Sequence, residues 1–158
     1  MGVREFDYYI FIDYSEDLIG YSIIEKEKLK CLLPKINKFA HFKKLKNKYS
    51  YIHSIKKIIE SKNIMIDILK LKIREMRQNL EIYSDVLNFI KNHNRCIIFI
   101  SVDNHEFSNF KKLVSITDEN KTKVVEESQL KEKSIEYRIS LILDTILNIE
   151  RLKRKNEK

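Results

Sequence analysis

DYYIFID (7–13) is the stretch on which the reading of this chain turns. It is aromatic and β-branched with no polar alternation, the pattern of a strand covered on both faces and therefore central in its sheet. One other stretch matches it, RCIIFISVD (95–103), and both runs end in aspartate, Asp13 and Asp103. Strands buried on both faces are usually parallel neighbours, because parallel sheets are covered by helices on each side. If these two are parallel, their C-terminal ends share one edge of the sheet, where sites of open α/β sheets collect. Two carboxylates held close together repel, and a divalent cation such as Mg²⁺ or Mn²⁺ keeps them ionised. A metal pair so held activates water and stabilises the leaving oxygen in phosphodiester cleavage. The plainer reading of each aspartate is a turn former or helix N-cap. Asp103-Asn104 ahead of a helix fits it, and so does Asp13 ahead of Ser15-Glu16.

Working outward, SED (15–17) is a turn and LIGYSII (18–24) a second strand. LKCLL (29–33) reads as a third strand closed by Pro34, which completes an antiparallel three-strand meander. Helical spacing begins near Ile36 with Phe39, Phe42 and Leu45, and continues with Ile52, Ile55, Ile58 and Ile59 as a second helix. Residues 64–71 alternate as a fourth strand or edge extension would, and 75–92 are helical. After the strand 95–103 come a short helix (105–114), a solvated loop TDENKTK, a short strand KVVEE (123–127) and an amphipathic helix over about 131–154. The chain reads as a single domain over 1–158, with a charged, frayed tail from about 153. The fold class is α/β, a mixed sheet with the meander followed by parallel strands and flanked by helices.

Composition narrows the function classes. With 2 Gly and 1 Pro in 158 residues, the chain has neither the turns of an all-β sandwich nor the glycines of a phosphate-binding loop. The net charge of +8 fits a polyanion partner, although AT-rich codon usage also enriches lysine. Cys31 and Cys96 sit in apolar runs and read as buried reduced thiols. His41, His53, His93 and His105 show no zinc-ligand spacing. MGVREFDYY has no signal-peptide core, no apolar run reaches a membrane span, and Gly2 lacks the Ser or Thr that myristoylation expects at position 6. A cytoplasmic location follows by elimination.

Further carboxylates lie in the C-terminal third. Glu126 and Glu127 close the strand 123–127, and Asp144 sits within ISLILDTIL (139–147). At about 100° per residue Asp144 falls off the stripe of Ile135, Ile139, Ile142, Ile146 and Ile149, on the flank of Ser140 and Asn148, where a solvated aspartate is the plain reading.

Taken together, IFIDYSED (10–17), VVEESQLKEK (124–133) and ISLILDTIL (139–147) resemble the ribonuclease-H-like superfamily. Within it the chain looks like a widespread prokaryotic family with a Tyr-Ile-Asp-Glu-Ser-Gly-like first-strand motif, an Asp-Ser-Lys-like strand and a Gln-Leu-Ala-Asp-like last-helix motif. That resemblance implies a fold in which carboxylates hold two metal ions, here Asp13, Glu127 and Asp144, with Asp103 added from the fourth-strand position. Three positions depart: Tyr14 replaces an acidic residue, Glu127 stands for Asp, and Leu141 or Ile142 stands for Gln.

The leading expectation is a Mg²⁺- or Mn²⁺-dependent nuclease or nuclease-like protein on RNA or DNA, with Asp13, Asp103 and Asp144 catalytic and Glu127 a further ligand. The alternative is a non-catalytic nucleic-acid-binding or protein-interaction module that kept the fold and lost the site, which the departures favour. A PIN-like nuclease also begins with a strand ending in Asp-x-Ser. A helix directly after Asp13 would favour PIN, and a meander the ribonuclease-H-like fold. Tyr49, Tyr51 and His53 among Lys44, Lys46, Lys48, Lys56 and Lys57 form either an aromatic–basic contact surface or one helix with a core face and a solvated face.

Overall fold

The two apolar runs do become neighbours at the centre of one sheet. The computed structural model describes residues 6–119 and 121–156, so the expectation about Gly2 lies outside the described residues. β1 (Tyr8–Ser15) pairs antiparallel with β2 (Leu18–Glu25) and parallel with β4 (Cys96–Ile100). β3 (Lys70–Glu75) joins the free side of β2 antiparallel, and β5 (Lys123–Glu126) joins β4 in parallel. The order is β3-β2-β1-β4-β5. A hairpin, not a helix, follows Asp13, which sets the PIN alternative aside.

Strand alternation divides the core in two. Phe11, Ile97 and Phe99 face one layer of helices, α1 (Lys26–Leu32), α2 (Lys48–Ser61) and α5 (Ile135–Asn156), with the Phe11 and Phe99 rings stacked at 5.3 Å. Ile10, Ile12, Ile98 and Ile100 face the other layer, α3 (Asn79–Asn92) and α4 (Asn104–Asp118). Covering on both sides is why neither run shows polar alternation. Among the described residues no helix is long and apolar enough to cross a membrane.

Several local expectations are corrected. LKCLL is not the third strand: it ends α1 and enters a 3-10 turn at Leu33–Lys35. Leu29, Leu32 and Leu33 fit one helical face as well as a strand, and a five-residue apolar run cannot separate the two by pattern. The helix also turns Cys31 outward, so that thiol is exposed and free while Cys96 is buried and free. The meander closes instead through β3, later than the expected 64–71. Ile64–Asp67 forms a 3-10 turn tied down by Asp67, whose carboxylate is buried and accepts from Lys35 Nζ at 2.7 Å.

The helix expected from Ile36 is absent up to Lys48, apart from a 3-10 turn at Phe42–Lys44. Ile36, Phe39 and Phe42 are all buried. Two backbone N–H groups of this segment, those of Ala40 and Phe42, are met by side chains of other elements rather than by a helical ladder. α5 stays helical to Asn156, with Lys153, Arg154 and Lys155 in its last turn, where cations complement the helix dipole.

Gly20 shows how closely the site edge is packed. It pairs with Asp13 across β1–β2, and a Cβ there would lie 2.9 Å from the Lys72 carbonyl oxygen and 3.3 Å from Leu147 Cδ2. Backbone cannot yield as a side-chain tip does, so Gly20→Ala is expected to destabilise by about 1–3 kcal/mol. Urea unfolding measures this, and an unchanged midpoint contradicts the packing described.

Candidate functional site

The parallel register sets one row of residues at the C-terminal edge of the sheet. Ile12 pairs with Ile100, and Ile100 pairs with Glu126. The next step along each strand aligns Asp13, Ser101 and Glu127, and the Ser101 N–H continues the ladder by donating to the Ile12 carbonyl at 2.9 Å. Alternation points Asp13 and Ser101 to the face of Phe11 and Phe99, the face on which α5 packs, and Glu127, which opens the 3-10 turn Glu127–Gln129 after β5, meets the Ser101 and Ser140 hydroxyls there. α5 carries Asp144 to the same place. Asp144 is buried, and so are its flanking neighbours Ser140 and Asn148. The flank that helical phase marks as solvated is therefore covered, because α5 lies across the sheet edge with more than its isoleucine stripe.

The three carboxyls act on one another. Burial, then the charges of Glu127 and Asp144, push the Asp13 carboxyl well above the usual carboxylate range, against the Tyr14 N–H that donates to its Oδ1 at 2.8 Å. Burial, with the Asp144 charge adding to it, raises Glu127 from 4.5 to about 7, and the hydroxyls of Ser140 and Ser101 beside it oppose the rise. Asp144 is fixed from the segment before α2: its Oδ2 accepts from the Phe42 N–H at 3.0 Å, and His41 Nε2 lies 3.9 Å from its Oδ1. His41 Nδ1 accepts from the Lys43 N–H at 3.3 Å, so Nε2 is the nitrogen turned to the carboxylate. A cleft of about 330 Å³, whose lining includes His41, Lys44, Ser101, Glu127 and Tyr137, opens beside the cluster.

Asp103 stands elsewhere. It is the N-cap of α4, its Oδ1 accepting from the Glu106 N–H at 2.8 Å, two residues past the strand-edge row. Ser101 holds the place that strand geometry had assigned to it. The sequence carried a signal for this: aligning YYIFID with CIIFIS from their first residues sets Asp13 opposite Ser101. His41 carried no such signal, since it meets Asp144 only through the fold. Tyr51 helps hold that contact: its hydroxyl receives the Ala40 N–H at 2.9 Å, donates to the Ala40 carbonyl at 3.1 Å and lies 3.3 Å from Thr145 Oγ1. Tyr51→Phe is expected to destabilise by about 1–3 kcal/mol, because the Ala40 N–H loses its acceptor. Thermal unfolding checks it.

Hard carboxylate oxygens are the donors that Mg²⁺ and Mn²⁺ take, so the chemistry of this set fits a divalent cation. As the side chains stand, however, no group of three His, Cys, Asp or Glu among the described residues is gathered closely enough to hold a metal ion.

No family model and no curated protein matches the chain. Among solved structures, it is similar to ribonuclease H2 from Pyrococcus horikoshii OT3, at 12% identity over 95% of this chain and 74% of that one, with a TM-score of 0.54. It is likewise similar to a chain of the PCNA:RNase HII complex from Archaeoglobus fulgidus, at 11% identity over 94% and 74%, again with a TM-score of 0.54. Likeness at this identity establishes the fold, which is ribonuclease-H-like.

Proposed function

We propose that this chain is a divalent-metal-dependent nuclease acting on RNA or DNA, with Asp13, Glu127 and Asp144 as its metal-holding carboxylates. The observation that carries the reading is their convergence from β1, the turn after β5 and α5 on one sheet edge, where burial and the neighbouring carboxylates raise Asp13 and Glu127. Two such groups favour either a proton or a cation between them. When bound, Mg²⁺ or Mn²⁺ would supply an activated water and charge stabilisation at the phosphoryl oxygens.

The protein's own residues hold the set in place. The Tyr14 N–H orients Asp13, and the Phe42 N–H fixes one oxygen of Asp144, leaving Oδ1 on the side of His41. Ser101 lies between Asp13 and Glu127 as a neutral hydroxyl in a row that would otherwise be wholly acidic. Binding an ion requires the carboxylates to draw in from their present positions. Asp103 is assigned to capping α4 rather than to this set.

The test is cleavage of mixed RNA and DNA oligonucleotides with Mg²⁺ or Mn²⁺, comparing the protein with Asp13→Asn. Equal activity in both removes the assignment.

A second reading is favoured by the Ser101 hydroxyl in the acidic row and by the Asp144 oxygen already committed to Phe42. It is a nucleic-acid-binding protein that kept the fold without cleavage. Salt-dependent binding, indifferent to metal and without product, decides for it.

A further inference from the structure

We propose that the lysine-rich segment 43–49 is the surface on which a single-stranded nucleic acid lies as its backbone approaches the carboxylate cluster; this rests on the nuclease reading of that cluster. The first observation is charge asymmetry. Residues 28–59 contain ten lysines and no Asp or Glu, so against a whole-chain net of +8 the remainder carries −2. The excess that suits a polyanion partner therefore belongs to one stretch of the chain.

The second observation is where that stretch is held. Phe42 is buried, and its N–H is bonded to Asp144; His41 faces the same carboxylate, and Tyr51 bonds back to Ala40 and α5. The residues that follow Phe42 therefore emerge directly beside the site. Lys43, Lys44, Lys46 and Lys48 are all exposed. Lys44 is paired with Glu132 and Lys48 lies over the Phe42 ring at 5.0 Å, whereas Lys43 and Lys46 have no ion pair among the described residues. Lys28 and Lys35, by contrast, are turned to the buried Asp67.

The third observation is Tyr49, 79% exposed at the start of α2 and adjoining these lysines. An open aromatic ring within a basic surface is a stacking platform for an unpaired base, and it accepts any base because every base has a π-face. Charge explains why such a surface is needed here. A cluster of carboxylates repels phosphate, so the strand must be drawn in by cations within about a Debye length, roughly 8–10 Å at moderate salt. The segment supplies those cations on an element whose backbone is bonded to the cluster itself.

The test is fluorescence polarisation with a labelled single-stranded oligonucleotide and its duplex, in EDTA so that cleavage plays no part. Lys43→Glu/Lys46→Glu/Lys48→Glu is expected to weaken single-strand binding by at least about 10-fold and to flatten the log Kd against log[salt] slope by about 2. Tyr49→Ala is expected to weaken it by about 5-fold or more while leaving duplex binding unchanged. A control pair, Lys111→Glu/Lys112→Glu on α4 across the sheet, should have a much smaller effect. The proposal is overturned if the triple variant binds like the control pair. It is also overturned if Tyr49→Ala weakens duplex as much as single strand, or if the protein binds phosphatidylserine vesicles and not the oligonucleotide. The nuclease reading fails separately, by absence of metal-dependent cleavage in a protein that still binds.

Discussion

Asp13→Asn is expected to lower metal-dependent cleavage by at least about 10²-fold while leaving the metal-free protein folded and more stable than its parent. A catalytic metal is worth several kcal/mol of transition-state stabilisation, and each 1.36 kcal/mol is a factor of ten in rate. Losing one of the two buried aspartates of the set removes a large part of that. The substitution is conservative for the fold, because an asparagine Oδ1 still receives the Tyr14 N–H now bound at 2.8 Å. It also removes a charge that burial, Glu127 and Asp144 all disfavour. Loss of activity alone would not separate a site residue from a structural one. Loss of activity together with a raised melting temperature does. A protein that keeps its activity, or that loses it through unfolding, contradicts the assignment.

The second large effect is a reversal of the usual acid sensitivity. Glu127 is raised from 4.5 to about 7, and Asp13 moves in the same direction. A carboxyl whose folded value lies above its unfolded one binds more protons in the native state. Its stabilising contribution is complete below the unfolded value and lost as pH rises through the folded one. The metal-free protein should therefore gain stability as pH falls from about 8 to about 5. At about 1.4 kcal/mol per pH unit, Glu127 contributes on the order of 3 kcal/mol at most, or roughly 6–12 °C in melting temperature for a chain of this size. The ion-paired Glu81 and Asp85, held low by Lys72, titrate on the acid side of this window.

Adding Mg²⁺ or Mn²⁺ should reverse the trend, because a cation binds the ionised carboxylates. It should stabilise at pH 8, by about 2.7 kcal/mol at a hundredfold excess over its dissociation constant, and do little at pH 5. Differential scanning calorimetry across this range, with EDTA or with metal, reads both effects. Glu127→Gln should flatten the metal-free profile. A metal-free melting temperature that is level, or that falls toward pH 5, would sink the description of the cluster.

The fold was largely legible in the sequence where burial is two-sided. The unbroken apolar and aromatic cores of such runs, YYIFI and CIIFI, show no polar alternation, so they announce central strands. It was not legible where an apolar run is short and covered on one side. LKCLL satisfies a strand and a helical turn equally, and only contact with the core decides between them. Phe39, Phe42 and Leu45 kept helical spacing without forming a helix, because the Ala40 and Phe42 N–H groups found partners on α2 and α5.

Sequence by itself determined the α/β class, the central pairing of the two apolar strands and Asp13 near the C-terminal end of the first, because these follow from hydrophobicity along a few consecutive residues. Only the tertiary structure decided that Ser101, and not Asp103, stands beside Asp13. Register counts residues across strands 88 positions apart, while the capping of α4 is a contact within four residues. It likewise decided that Asp144 is buried and that a lysine-rich segment is bonded to it. Helical phase describes one face of one helix, and whether that face meets water depends on everything packed around it.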